Sequence, residues 1–231
     1  MGYNLAMRQK TAKKLLQKVV EDYDNIAKDF SGTRKVEWQS FPLILPHIKD
    51  NDYIVDIGCG NGRVLNFLEK HRQIKYLGID NSKNLLELAK ENHAKSQFIH
   101  GDMLNLPVES KTADKALAIA SLHHIPSREL RAKAVQEAHR ILKEKGLYIL
   151  TVWNLFQPKY KKYIWRARMK WLLSFGKYDS RDTFIPWGNS GVNRYYYAFT
   201  LEEVKKLLID NGFKILEDYV SDNFVLICQK I

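Results

Sequence analysis

A short apolar run of strong β character, Tyr53-Ile-Val-Asp-Ile57, passes directly into Gly58-Cys-Gly-Asn-Gly62 and then into a helix-forming stretch, Arg63 to Glu69. No other feature restricts the fold as much. Glycines let the backbone turn sharply and approach a ligand closely, and a strand entering a helix through such a turn belongs to a βαβ unit. The pattern repeats downstream. Lys75-Tyr-Leu-Gly-Ile-Asp80 reads as a second strand, followed by a helix from an N-cap at Asn81 or Ser82 through His93. Gln97 to His100, Ala113 to Ala120 and Gly146 to Trp153 read as further strands, with a helix over Glu129 to Leu142. The chain closes with a helix, Leu201 to Asn211, and two strands, Phe213 to Val220 and Asn223 to Gln229, joined by the tight Ser221-Asp222 as an antiparallel hairpin. This alternation predicts an α/β fold: one mostly parallel seven-stranded sheet with helices on both faces.

A chain of 231 residues fits a single domain with a sizeable core. Its segments are a helical N-terminal extension (1–50), a ligand-binding core (51–153), a basic aromatic insertion (154–199), and the final helix and strands (200–231). The extension carries Leu15, Leu16, Val19, Val20, Tyr23 and Ile26 at helical spacing over Thr11 to Ala27, and a second short helix over Trp38 to Leu45. No uninterrupted apolar run approaches the roughly 20 residues that span a bilayer, and the basic N-terminus lacks an apolar signal core. Cys59 and Cys228 form neither a disulfide framework nor a zinc motif. No metal, no membrane and a reducing cytoplasm are therefore the expectations.

Ligands in such sheets sit at the carboxyl ends of the strands, and three acids stand there. Asp56, two residues before the first glycine, suits hydrogen bonding to an amino-acid moiety rather than to a pyrophosphate. Asp80 ends the second strand where a carboxylate would clamp a ribose diol. Asp102, beside Gly101, follows the third strand and is placed to accept from an adenine amino group. Singly, each could be a solvated strand-end residue or a helix cap. Together with the glycine loop they resemble the class I S-adenosylmethionine-dependent methyltransferases, over roughly Asn51 to Trp153. The resemblance implies a Rossmann-like fold and S-adenosylmethionine as cofactor. It places Asp56, Gly58 and Gly60 at the methionine end, Asp80 at the ribose, and Asp102 with Met103 at the adenine. Cys59, Arg63, Asn81 and Ala120 are counted with them.

Segments outside that core narrow the family. They are Tyr23-Asp-Asn-Ile-Ala-Lys-Asp-Phe30-Ser-Gly-Thr33-Arg34 with Trp38, Ser121-Leu-His123-His124, Val152-Trp153, Ile185-Pro186-Trp187 and Arg194-Tyr195-Tyr196-Tyr197-Ala-Phe199. In this order they resemble the tRNA wobble-uridine carboxymethyl methyltransferases, from about Tyr23 to Phe213. That family esterifies a 5-carboxymethyl group to complete 5-methoxycarbonylmethyluridine. One departure is Glu37-Trp38-Gln39, where the family usually reads proline-tryptophan-proline. The resemblance implies tRNA as substrate and, as in the eukaryotic family, a small zinc-binding activator subunit as a partner. The oligomeric state is not legible.

A carboxylate is already ionised at neutral pH and needs no strong general base. It needs holding in line with a sulfonium methyl, and a planar guanidinium suits that task. Arg34 and Arg194 are the candidates, with His124 as a donor at the mouth of the site. Arg34 as a surface arginine, His124 as a packing or capping residue, and the tyrosine run as core or lid packing remain open beside these roles. Trp153 and Trp187 shape the pocket wall at most.

The protein carries 37 lysines and arginines against 26 acids, a net charge of +11. Within 154–199 nine cations face only Asp179 and Asp182, and Tyr160, Tyr163, Trp165, Trp171, Phe175 and Tyr178 are interleaved with them. Cations for phosphates and rings for unstacked bases suit an RNA reader. Lys161, Lys162 and Arg166 are the substrate-binding candidates there, with Trp153, Tyr195 and Tyr196. The geometry expected for the segment is an amphipathic helix with its aromatic face on the core and its basic face in solvent. A small-molecule methyltransferase and a non-catalytic RNA-binding module are the alternative readings.

Overall fold

The computed structural model describes residues 2–33, 37–175 and 177–231. Its strands are β1 (Tyr53–Ile57), β2 (Lys75–Asp80), β3 (Gln97–His100), β4 (Ala113–Ile119), β5 (Leu142–Trp153), β6 (Asp182–Pro186), β7 (Asn193–Tyr197), β8 (Phe213–Val220) and β9 (Asn223–Lys230). Seven of them form one sheet in the order β3-β2-β1-β4-β5-β9-β8. The first five pair in parallel, and β9 runs antiparallel between β5 and β8. From β1 the chain moves to β2 and β3 on one side, then returns to lay β4 on the other. This reversal opens a crevice at the carboxyl ends of β1 and β4, where ligands of such sheets bind.

The helices follow the expected periodicity with shifted ends. They are α1 (Gly2–Gly32), α2 (Phe41–Ile44), α3 (Arg63–Leu68), α4 (Lys83–Asn92), α5 (Arg128–Ile141), α6 (Lys161–Leu173) and α7 (Leu201–Ile209). Ser82, not Asn81, caps α4, its hydroxyl accepting from the Leu85 amide. Ser127 and Thr200 cap α5 and α7 in the same way. Two apolar clusters, one on each face of the sheet, make the core. One gathers Val55, Ile57, Tyr148 and Leu150 under α1, α5 and α7, and the other gathers Ile54, Leu117 and Ile149 under α2 and α3. The faces alternate as period-2 strands require.

Three expectations need correction. α1 runs well beyond Thr11 to Ala27 at both ends. β5 begins at Leu142 rather than Gly146, because Leu142 pairs with Ala113 before a bulge that leaves Lys145 at a φ of 62°. The insertion also contains a separate two-stranded sheet, β6 paired antiparallel with β7. That sheet leaves no alternating signal in the sequence, because Arg194 through Tyr197 are all buried.

The orientation of α6 differs too. Ile164 and Ala167 face inward, while Trp165 is 63% and Phe175 91% exposed, and Trp171 is also exposed. Trp165 falls about 100° round the helix from Ile164, which turns it out of the core. Tyr160 and Tyr163 pack inward against Leu155, Ile164 and Tyr196, and Tyr178 packs against the main core.

Candidate active site

The crevice between β1 and β4 is a cleft of about 1060 Å³, counted out to its mouth. Its floor is the glycine loop. Gly58, Gly60 and Gly62 have φ values of 77°, 56° and 79°. Other residues rarely adopt such angles. The Gly58 and Cys59 amides donate to the Ile79 carbonyl at 2.7 and 3.1 Å, and the Gly60 amide donates to the Asp80 carboxylate at 2.8 Å. The loop is thereby tied to the end of β2. A β-carbon on Gly58 would lie 2.4 Å from the Ser121 β-carbon, whereas one on Gly60 would meet nothing within 4 Å. Gly58→Ala therefore forces β1 and β4 apart, and its expected destabilisation is about 2–4 kcal/mol. Thermal melting should fall by roughly 5–10 °C for a chain of this size. Gly60→Ala should melt within a few degrees of the unaltered protein, and equal melting of the two variants would contradict the assigned crowding.

Asp56 is the deepest acid in the cleft. Its Oδ2 accepts from the Tyr76 hydroxyl at 2.6 Å, and its Oδ1 is buried without a hydrogen-bond partner among the described residues. Burial pushes its pKa up to about 7, helped by the nearby Asp80 charge and opposed by the Tyr76 hydrogen bond. A buried, unsatisfied carboxylate oxygen is costly unless a ligand completes it. The α-ammonium of S-adenosylmethionine carries the complementary charge and donors, so the residues fit this cofactor. Asp80 accepts the Gly60 and Ser82 amides, one on each oxygen, and lines the cleft with Asn81. Asp102 stands exposed at the rim, its Oδ1 engaged by the Leu104 amide, while Gly101 and Met103 on either side line the cleft. Cys59, Arg63 and Ala120 also line it. The Arg63 guanidinium lies 4.6 Å from the Trp38 ring centroid.

Much of the wall comes from α1. Leu16, Val19, Tyr23 and Phe30 recur at helical spacing along one face and cover the cleft, and Ser31 at the end of α1 accepts from the Asn61 side chain of the glycine loop at 2.9 Å. Asp24 fixes that lid to α4, its Oδ1 accepting from the Ser82 hydroxyl at 2.6 Å. Sequence reasoning placed Tyr23 and Phe30 in a motif but assigned them no part in the site. Their seven-residue separation was the signal that they share a helix face.

Beyond Tyr23 lies His124, buried and lining the cleft. Its Nδ1 donates to the Tyr195 carbonyl at 2.8 Å, since a carbonyl can only accept. Its Nε2 then accepts from the Tyr23 hydroxyl at 2.9 Å. Desolvation, chiefly, pushes its pKa down to about 3, so the ring is neutral at neutral pH. With both nitrogens engaged, His124 positions Tyr23 and is not the donor to the cleft that the sequence suggested. His123, behind it, is also held neutral by burial, and its Nδ1 accepts from the Trp153 amide.

Arg194 is 4% exposed and enclosed by aromatic rings, its guanidinium carbon 4.5 Å from the Trp187 centroid, 5.2 Å from Tyr196 and 5.7 Å from Trp153. It makes no salt bridge among the described residues, and its Nε is buried without a hydrogen-bond partner. The cage adjoins the cleft wall: Trp187 lies 5.6 Å from Phe30 and Tyr196 lies 4.7 Å from His124, centroid to centroid. Such a cation awaits an anion.

Other expected substrate residues lie elsewhere. Tyr195 is fully buried, its hydroxyl donating to Asp182 at 2.7 Å, so its side chain is core and only its carbonyl serves the site. Tyr196 and Trp153 stack on one another 4.8 Å apart as walls of the arginine cage and do not line the cleft. Lys161, Lys162 and Arg166 are exposed on α6. Arg34 lies outside the described residues. Among the described residues no cluster of metal-ligating side chains occurs, and no helix is long and apolar enough to cross a membrane.

Residues 55–150 match the family model described as a methyltransferase domain. The chain is 30% identical over 231 residues to the tRNA (carboxymethyluridine(34)-5-O)-methyltransferase of Schizosaccharomyces pombe, covering 90% of this chain and 94% of that protein. It is 34% identical over 155 residues to the mouse tRNA (carboxymethyluridine(34)-5-O)-methyltransferase ALKBH8, covering 67% of this chain and 23% of that protein. The chain spans about a fifth to a third of the length of the animal and plant relatives it matches. Among solved structures, a SAM-dependent methyltransferase from Methanosarcina mazei superposes with a TM-score of 0.71 at 23% identity, covering 82% of this chain and 97% of that one. A Haloferax volcanii methyltransferase solved with the Trm112 activator superposes at 0.66 and 15% identity, covering 90% and 97%. At these identities the likeness concerns the fold.

Proposed function

The chain belongs to the family of the tRNA (carboxymethyluridine(34)-5-O)-methyltransferases, within the S-adenosylmethionine-dependent class, and on that premise we propose that it esterifies the carboxymethyl group of a tRNA wobble uridine. The observation that carries this reading is Arg194, a buried guanidinium beside the cleft for the cofactor that makes no salt bridge among the described residues, since Asp22, the carboxylate its charge acts on, is bonded to Lys18 at 2.7 Å. A carboxymethyl group supplies the missing anion.

When bound, S-adenosylmethionine supplies an electrophilic methyl group on a sulfonium. Asp56 would hold the amino-acid end by its ammonium, Asp80 the ribose hydroxyls, and Met103 the base, all three lining the cleft. The lid of α1 keeps water from the reacting atoms. Arg194 would orient the substrate carboxylate by taking most of the charge-assisted bonding on one oxygen and leaving the other free to react. Gripping both oxygens equally would blunt the nucleophile. Methyl transfer to one carboxylate oxygen would give a neutral ester and a thioether, a balance that asks no general base of the protein. No proton moves, which agrees with a His124 that is neutral and occupied on both nitrogens. The reading extends to a small activator subunit, supported by the Haloferax neighbour solved with one, and to a cytoplasmic location, in keeping with two buried free cysteines.

The test is incubation with methyl-labelled cofactor and tRNA that lacks the final ester, with and without an activator subunit, followed by nucleoside analysis. A base-labile methyl ester on the wobble uridine is the expected product. Label absent from RNA in both arms, with the cofactor tightly bound, would transfer the cleft to a small carboxylic acid.

A further inference from the structure

Outside the active-site cleft lies a second concavity, a groove between α1 and the β6–β7 sheet of about 1030 Å³ counted out to its mouth. Thr11, Lys14, Leu15 and Lys18 recur at helical spacing and give it one wall. Lys170 from α6, Lys177 and Tyr178 from the loop after it, and Phe184 and Asn193 from the small sheet give the other. Four lysines thus face one concave surface. Among the described residues only Lys18 has a carboxylate in direct contact, Asp22 at 2.7 Å. Asp182 acts on Lys170 from further off, but it is buried and already accepts from the Tyr195 hydroxyl and the Asp179 amide.

Lys170 is not a loose surface chain. Its ammonium stands 3.8 Å from the ring centroids of both Tyr178 and Phe184, which hold it in the groove. Burial depresses its pKa, and the charges of Lys177 and Lys18 press the same way. Cations close enough to repel one another, one of them fixed between two rings, are stabilised by an anion that bridges them. The groove is also next to the chemistry. Leu15 and Lys18 of α1 face it, while Leu16 and Val19, one residue on in each case, face the active-site cleft. The two cavities are therefore separated by the thickness of one helix, about 10–12 Å.

We infer that this groove seats backbone phosphates of the substrate RNA beside the nucleotide that enters the cleft. The inference rests on the tRNA reading above and adds where the strand crosses the protein. Phosphates next to the target position take Lys14, Lys18, Lys170 and Lys177, and the strand then passes over α1 toward Tyr23 and Phe30. Because the contacts are to the backbone, they set register and orientation and leave recognition of the base to the cleft.

Lys14 and Lys177 are exposed, so Lys14→Ala/Lys177→Ala leaves the core intact. Lys49→Ala/Lys75→Ala removes the same charge at the opposite end of the parallel strands and is the control. Affinity for tRNA is measured across a salt series, with steady-state methylation and cofactor binding measured alongside. Losing two single-strand phosphate contacts should lower the slope of log K against log salt by about 1.4. The KM for tRNA should rise on the order of tenfold, with kcat and cofactor affinity unchanged. A groove variant that keeps the slope and KM of the control overturns the proposal while the tRNA reading stands. If the variant instead loses adhesion to phosphatidylserine vesicles and keeps its tRNA parameters, the groove belongs to a lipid surface and the proposal fails. An unaltered protein that neither binds nor labels tRNA defeats the reading and the proposal together.

Discussion

Asp56→Asn is expected to weaken S-adenosylmethionine binding by roughly 30-fold or more. The carboxylate sits at the bottom of the cleft with Oδ1 unsatisfied, so its charge and acceptor are available to a ligand ammonium. Removing one member of a buried, hydrogen-bonded charge pair typically costs about 2–5 kcal/mol, roughly 30- to 5000-fold in affinity. Asparagine keeps the shape and an acceptor for Tyr76, so the fold should survive. The change should in fact stabilise the ligand-free protein above neutral pH. The sign follows from the pKa, raised in the folded state from 3.8 to about 7 by burial. A folded acid that holds its proton more tightly than the unfolded chain lends stability below pH ~4, and that contribution disappears as pH rises through 7. Binding of the cationic ammonium favours the ionised form. Affinity for the cofactor should accordingly increase with pH up to about 7 and then level, with proton release on binding below that point. Calorimetry in two buffers of different ionisation enthalpy measures both effects. An Asp56→Asn protein with unchanged affinity and an unchanged pH profile would remove Asp56 from the ammonium site.

Arg194→Met should lower kcat/KM for tRNA bearing the carboxymethyl group by about 10²- to 10³-fold, within the range for losing one partner of a buried charge pair. Cofactor affinity should not change, because Arg194 does not line the cleft around the glycine loop. Stability should hold or increase. Methionine fills the space among Trp153, Trp187 and Tyr196 and relieves a buried cation that makes no salt bridge among the described residues. Arg194→Lys should rescue little, since an ammonium neither stacks on these rings as a plane nor presents a fork to a carboxylate. Opposite shifts in turnover and melting distinguish a substrate-binding arginine from a structural one. Lost turnover accompanied by a large drop in melting temperature would make Arg194 a core residue.

The strand–loop–helix at Tyr53 to Leu68 was legible because its causes are local. Apolar β-formers give the strand, three glycines permit positive φ, and the acids fall at strand ends by counting alone. Seven strands and their sheet followed from alternation, and S-adenosylmethionine from the acids and the glycine loop. The strands of the insertion were not legible, because Arg194 to Tyr197 are covered on both sides and carry no period. The exposure of Trp165 was missed because composition says which rings are present but not which way they face.

The sequence by itself determined the fold from short-range pattern and, through the resemblance its motifs carry, the cofactor and the family. Only the tertiary structure decided how the candidate residues work. His124 meets Tyr23 from 101 positions away and the Tyr195 carbonyl from 71, and those two bonds turn an apparent donor into a neutral positioning residue. Arg194 gains its meaning from Trp153 and Trp187, which no local spacing relates to it. The lysine groove exists only because α1 folds back against the insertion. Backbone geometry and periodicity propagate along the chain, whereas desolvation, partner choice and unpaired charge depend on what the folded chain brings alongside.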